Sequence, residues 1–298
     1  MSGTVIGPAF GPCVGGILVT FTNWRAIFWM QTAMTGLGFV LSVLFVPSIT
    51  SKAELFRQGK LDVVEAVGYF NPLRVFRLFA YPNILLTHIA CGFLSWSQYS
   101  LLTAPRTLIN PRFHLTTPLV SGLFYIAPGA GFLAGTICGG KFADITVRRH
   151  IKIRGYRLPQ DRLNSGMIAF AFLVPVASLI YGWGLQYTVG GLALPIISIF
   201  WAGFGLMAAF SSLNTYCSEV LPAKRTEVIT GKYFIQYLFS AGSSASILPL
   251  INSIGVGLAT TIGAVLCLTA GALVLATARY GLDMQMWVDK KLNRIAKG

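Results

Sequence analysis

Asp144 is followed by Arg148 and Arg149, and Glu219 by Arg225, in a chain of 298 residues whose charges lie mostly between its apolar runs. Each of these groups stands beside a long apolar run. Carboxylates and guanidinium groups at neighbouring helix ends can form charge-assisted pairs that close in one conformation and open in another. Asp144, Arg148, Arg149, Glu219 and Arg225 are therefore candidates for a gating network, not for a substrate site. The plainer reading is a set of solvated charges beside a membrane surface.

Polar side chains within the apolar runs are few. Gln98 and Tyr99 lie in one run, Asn214 at the end of another, and Gln236, Tyr237 and Ser240 in a third. Gln236 and Ser240 are four apart and share a helix face. With aromatic faces between them, these groups could line a cavity for an amphipathic organic molecule. Singly, each could equally be an interhelical hydrogen bond worth about 1 kcal/mol. No Asp, Glu, Lys or Arg is expected at mid-membrane, where a charge costs roughly 3 kcal/mol or more. Histidine is the side chain that most readily carries a proton on and off under physiological conditions, and His88 is open to either a proton-coupling or an interfacial role.

Catalysis finds no support. The chain has no G-x-S-x-G, no H-E-x-x-H, no P-loop and no dinucleotide fingerprint after a strand, so no catalytic residue and no cofactor is expected. Cys13, Cys91, Cys138, Cys217 and Cys267 are spaced singly with no C-x-x-C, and read as small buried apolar residues instead of metal ligands.

The elements that must position these groups are membrane helices. Hydrophobic residues make up 54% of the chain and charged residues 11%, against roughly 25% charged in an ordinary soluble domain. Apolar runs at about Thr4–Phe21, Ile27–Val46, Pro82–Thr103, Pro118–Gly139, Ser165–Tyr187, Val189–Leu213, Val228–Ile251 and Gly255–Ala278 predict an all-α integral membrane protein with about eight transmembrane helices. Alternate loops hold nearly all the Lys and Arg, including Lys232, whereas Arg25, Arg106 and Arg112 stand on the other side. That asymmetry puts the basic loops and the C-terminus in the cytoplasm. It also accounts for the net charge of +14 through the lipid surface, with no nucleic-acid partner.

The first run, Gly7-Pro8-Ala9-Phe10-Gly11-Pro12-Cys13-Val14-Gly15-Gly16, places glycines and prolines in an uncharged helix. Gly7, Gly11 and Gly15 are four apart and would admit a closely packed partner helix. Spelled G-x-x-x-G-P-x-x-G-G, the stretch resembles the antiporter motif in the fifth helix of drug/proton antiporters of the major facilitator superfamily. Gly140 to Arg149 resembles the family's G-x-x-x-D-x-x-x-R-R loop, Glu219 to Arg225 resembles its E-x-x-P-x-x-R stretch, and Pro159 to Leu163 is similar to a P-x-D-R-L stretch of fungal members.

The resemblance implies the major facilitator fold from the fifth helix onward, without the first four of twelve helices. Residues 1–46 would be the last two helices of the N-terminal half, with Gly7, Gly11, Pro12, Gly15 and Gly16 as a helix seam. Residues 47–81 would be the cytoplasmic central loop, 82–278 the C-terminal six-helix half built from two inverted three-helix repeats, and 279–298 a cytoplasmic tail. It further implies proton-coupled efflux of small amphipathic compounds such as drugs or secondary metabolites, from a multi-pass protein of the plasma membrane. The alternative is a truncated, non-transporting membrane protein, inactive alone or paired with another chain.

Overall fold

A computed structural model of the chain describes residues 11, 14–45, 73–103, 108–109, 113 and 123–295, and no strand occurs among them. Gly7, Pro12, most of the expected central loop and the last three residues of the expected tail lie outside the described residues.

Helices α1 (residues 14–21) and α2 (Arg25–Phe45) are joined by a turn of three residues. Asn23 makes the turn, its Oδ1 accepting the Arg25 N–H at 3.1 Å, which satisfies one of the donors that a helix start leaves open. No residue of α2 is buried. A Cβ built at Gly11 meets nothing within 4 Å, and one at Gly15 meets only Ile27 Cδ1 at 3.8 Å. Among the described residues, then, the expected glycine seam has no close partner helix. Apolar side chains such as Leu37, Phe39 and Phe45 stay exposed, as suits lipid or further helices.

A short helix α3 (Leu73–Arg77) and a 3₁₀ turn lead into six long helices: α4 (Pro82–Thr103), α5 (Ile126–Arg154), α6 (Asp161–Tyr187), α7 (Ala193–Glu219), α8 (Arg225–Ile254) and α9 (Val256–Ile295). Together with α2, the helices α6 to α9 are long and apolar enough to cross a membrane. α4 is long enough but carries Asn83, His88 and Gln98, and α5 is rich in glycine and ends in a basic stretch.

Three expected loops are helical instead. α5 runs through the Gly140–Arg149 stretch to Arg154, because no proline or left-handed residue interrupts it before Gly155, at φ 84°. The segment at Lys224 shrinks to one 3₁₀ turn, Pro222–Lys224, so α8 begins at Arg225. The tail from Arg279 to Ile295 continues α9, whose 40 residues span about 60 Å at 1.5 Å each. Within α6, Pro175 has no N–H to give and stands just after a π turn, Ala169–Leu173.

Packing fixes the relative directions of the helices in the six-helix bundle. Gly131, Gly135 and Gly139 of α5 lie against Phe200, Phe204 and Ala208 of α7, rising together, so α5 and α7 are parallel. A Cβ on Gly131 or Gly135 would run into the Phe200 or Phe204 carbonyl, which makes this a small-residue seam in which one helix rests on the backbone of the other. α4 and α8 are likewise parallel, with His88 at Gly231, Gly92 at Phe239, Trp96 at Gly242 and Ser100 Oγ 2.8 Å from Ser243 Oγ. α6 and α9 are antiparallel: Phe170 meets Gly271 at one end, and at the other Gln186 Oε1 accepts the Gly257 N–H at 2.7 Å. α4 and α9 are antiparallel too, tied by Ser97 Oγ to Gly263 O and by Tyr81 Oη to Asp289 Oδ1. Exchanging α4–α6 for α7–α9 maps the α4·α8 contact onto α7·α5, and α4·α9 onto α7·α6. The bundle is therefore two inverted three-helix units.

Candidate functional site

The two parallel pairs enclose a cavity of about 460 Å³. α4 supplies Gln98 and Tyr99, α5 supplies Phe132, α7 supplies Met207, Phe210 and Asn214, and α8 supplies the remainder, including Tyr233, Gln236 and Tyr237. The structure thus brings Gln98, Tyr99, Asn214, Gln236 and Tyr237 to one space. Ser240 is not among the lining residues; it is buried and its hydroxyl donates to the Gln236 carbonyl at 2.8 Å. Tyr233 and Tyr237, one helical turn apart, stack with centroids at 5.9 Å and interplanar angle 19°.

Lys232 corrects the sequence reading. Counted with the cytoplasmic loop, it lies instead inside α8, is only 3% exposed and lines the cavity. Its Nζ donates to Asn214 Oδ1 at 2.6 Å and sits 3.7 Å from the Tyr233 ring centroid. The expected run Val228–Ile251 already contains Lys232; what a loop count misses is the helix face, because a helix that begins at Arg225 has made two turns by Lys232 and carries it toward α7. His88 is fully buried, with its ring edge-on to Phe79 at 5.8 Å.

At the end of the bundle where α5 leaves and α6 begins, charges meet. Arg162 Nη1 donates to Asp144 Oδ1 at 3.0 Å, and its Nε lies 3.2 Å from Glu219 Oε1. Arg157 Nη2 donates to the same Glu219 oxygen at 2.6 Å. Asp144 and Glu219 are therefore joined, as their sequence neighbours suggest, but by Arg162 of α6. Arg148, Arg149 and Arg225 are exposed and form no ion pair among the described residues. Next to this chain of charges, Asp161, only 2% exposed, accepts from Arg154 Nη2 at 2.7 Å and from the Leu158 N–H at 3.1 Å, holding the turn between α5 and α6. Beside α9, burial and the hydrogen bond to Asp289 push the Tyr81 phenol above its ordinary pKa.

Sequence spacing gives no signal for Arg162 as a bridge, since its two partners lie on other helices. Its place in the stretch Pro159 to Leu163 is the feature that marks it. No group of three or more His, Cys, Asp or Glu able to hold a metal ion occurs among the described residues.

The family model described as Major Facilitator Superfamily matches residues 1–246. The chain belongs to the major facilitator superfamily. Among its relatives, the MFS-type transporter tstD of Talaromyces stipitatus is 24% identical over 94% of this chain and 58% of its own length. MFS transporter OpS2 of Beauveria bassiana is 24% identical over 93% of this chain and 87% of its own. Efflux pump radE of Floropilus chiversii is 23% identical over 94% of this chain and 55% of its own. The chain thus spans roughly half to nearly nine tenths of the relatives it matches. Major facilitator membership agrees with the inverted three-helix units and with a cavity at their interface.

Proposed function

We propose that the chain is a proton-coupled exporter of small amphipathic organic compounds, drugs or secondary metabolites, working by alternating access in the plasma membrane. Residues 82–278 are the C-terminal six-helix half, 1–46 the last two helices of the N-terminal half with their glycine seam, 47–81 the central loop and 279–298 the tail. The C-terminus and the charged end of the bundle face the cytoplasm. Transport, not catalysis, is the activity.

The observation that carries this reading is the cavity between α4, α5, α7 and α8, whose walls come from both inverted units. A ligand held there touches both, so its binding energy can bias their relative position. The Asp144–Arg162–Glu219 chain joins α5, α6 and α7 at one end and serves as the latch of that end, with Arg148, Arg149 and Arg225 as partners of other helix ends when the latch opens.

The test is efflux of two amphipathic dyes, cationic rhodamine 6G and anionic fluorescein, from cells expressing this chain, with and without a protonophore. Protonophore-sensitive loss of either dye supports the reading, and retention of both equal to that of untransformed cells refutes it. One observation favours the alternative of a non-transporting or chain-pairing protein: α2 buries none of its residues. Under that alternative, export appears only when further helices are co-expressed, or not at all.

A further inference from the structure

Lys232 has less company than a buried ammonium needs. An ammonium carries three donors, and here the acceptors in reach are the neutral Asn214 Oδ1 and the Tyr233 ring face. No described carboxylate lies within ion-pair distance of it. Asp144 and Glu219 are held by Arg162, Asp161 by Arg154, and Asp289 by Tyr81. Burying a cation without a counter-ion is unfavourable. Yet Lys232 lines the cavity, so a bound molecule can reach it.

A second group in the same wall is also unfinished. Gln236 Oε1 is buried and accepts no hydrogen bond, one helical turn beyond Lys232. The missing ligand atoms are thus an anionic oxygen for Nζ and a donor for Gln236, with Tyr99, Phe210 and Tyr237 offering apolar and aromatic faces around them. These requirements describe an amphipathic organic acid bearing a nearby hydroxyl or N–H.

We propose that the cavity selects amphipathic carboxylates, with Lys232 as the residue that takes the carboxylate and Gln236 the one that takes the neighbouring donor. This rests on the cavity being the substrate site. Asn214 holds Nζ when the site is empty and releases it to the ligand, a neutral amide being a weaker partner for an ammonium than an anion.

The test uses the full chain in lipid nanodiscs and two environment-sensitive probes, N-dansylglycine and its neutral amide N-dansylglycinamide, titrated by fluorescence. A charge-assisted pair in a low-dielectric site makes the carboxylate bind at least about tenfold more tightly than the amide. Lys232→Met should remove that preference by weakening the carboxylate alone, and Lys232→Arg should retain most of it. Equal affinity of the two probes for the wild-type chain, or a preference that survives in Lys232→Met, overturns the proposal while leaving the cavity reading intact. If neither probe binds, the cavity reading fails and the proposal with it.

A readout on the wild-type chain alone covers the case in which Lys232→Met does not fold. Reductive methylation of Lys232, followed by mass spectrometry, should be slowed by N-dansylglycine and not by the amide at equal concentration. Equal protection by both probes, or none by either, overturns the assignment.

Discussion

Gly135→Ala adds one carbon to the α5·α7 seam, and its effect can be worked out from the contacts. The new Cβ would lie 2.8 Å from Phe204 Cα and 2.9 Å from Phe204 C, where carbon atoms prefer about 3.5–4.0 Å. The obstacle is backbone, so no rotamer change relieves it. The helices must part by about 1 Å along the seam, and overpacking of this kind costs about 1–3 kcal/mol. Gly140, five residues on in the same helix, is the internal control: a Cβ there meets only Ser211 Oγ at 4.0 Å. Gly140→Ala should leave stability unchanged or raise it by up to about 1 kcal/mol through helix propensity. Thermal unfolding of the purified chain in detergent, followed by loss of the monomer peak in size-exclusion chromatography, should place Gly135→Ala roughly 3–8 °C below the wild type. Gly140→Ala should match or exceed the wild type. Equal melting of Gly135→Ala and wild type, or equal losses in both variants, would refute the close-approach argument.

Arg162→Gln breaks both links between Asp144 and Glu219 and should slow dye export several-fold, while Lys152→Gln, an exposed change in the last turn of α5 that breaks no ion pair, changes it less than twofold; similar rates for both would remove Arg162 from the latch. Asp161→Ala strips the Leu158 N–H and Arg154 of their acceptor and should cost about 1–3 kcal/mol, read as a lower melting temperature in the same chromatographic assay. Tyr81→Phe removes the tie to Asp289, so amide hydrogen exchange should quicken in residues 280–291 and stay unchanged in α7.

The fold is largely readable in the order and length of the apolar runs, because the bilayer enforces both. The cavity residues Gln98, Tyr99, Asn214, Gln236 and Tyr237 stand out for the same reason: a polar side chain in an apolar run needs a purpose. Helix ends are less readable. Nothing in the run through Asp144 and Arg148 stops a helix, and charge density there mimics a loop while α5 continues to Arg154. Lys232 is hidden by the face of its helix, since its burial depends on which way α8 turns it. Arg162 is hidden differently: its role comes from three helices meeting, and spacing along one chain does not carry that. Among the described glycines, close approach to a neighbouring backbone is realised at Gly131, Gly135 and Gly139, where a partner helix is in place, and not at Gly11 or Gly15.

The two parallel contacts of the bundle are related by the exchange of its three-helix units, but they are not equally compliant. On the α5·α7 side, glycines rest directly on a neighbouring backbone, and a peptide carbonyl has nowhere to go. On the α4·α8 side, the rings of His88, Phe239 and Trp96 fill the gap against Gly231, Gly92 and Gly242, and a ring can swing between rotamers. A displacement between the units is thus absorbed first at α8. The yielding wall of the cavity is the one that bears Lys232 and Gln236, and a ligand that grips those two residues pulls on the part of the protein most free to follow it.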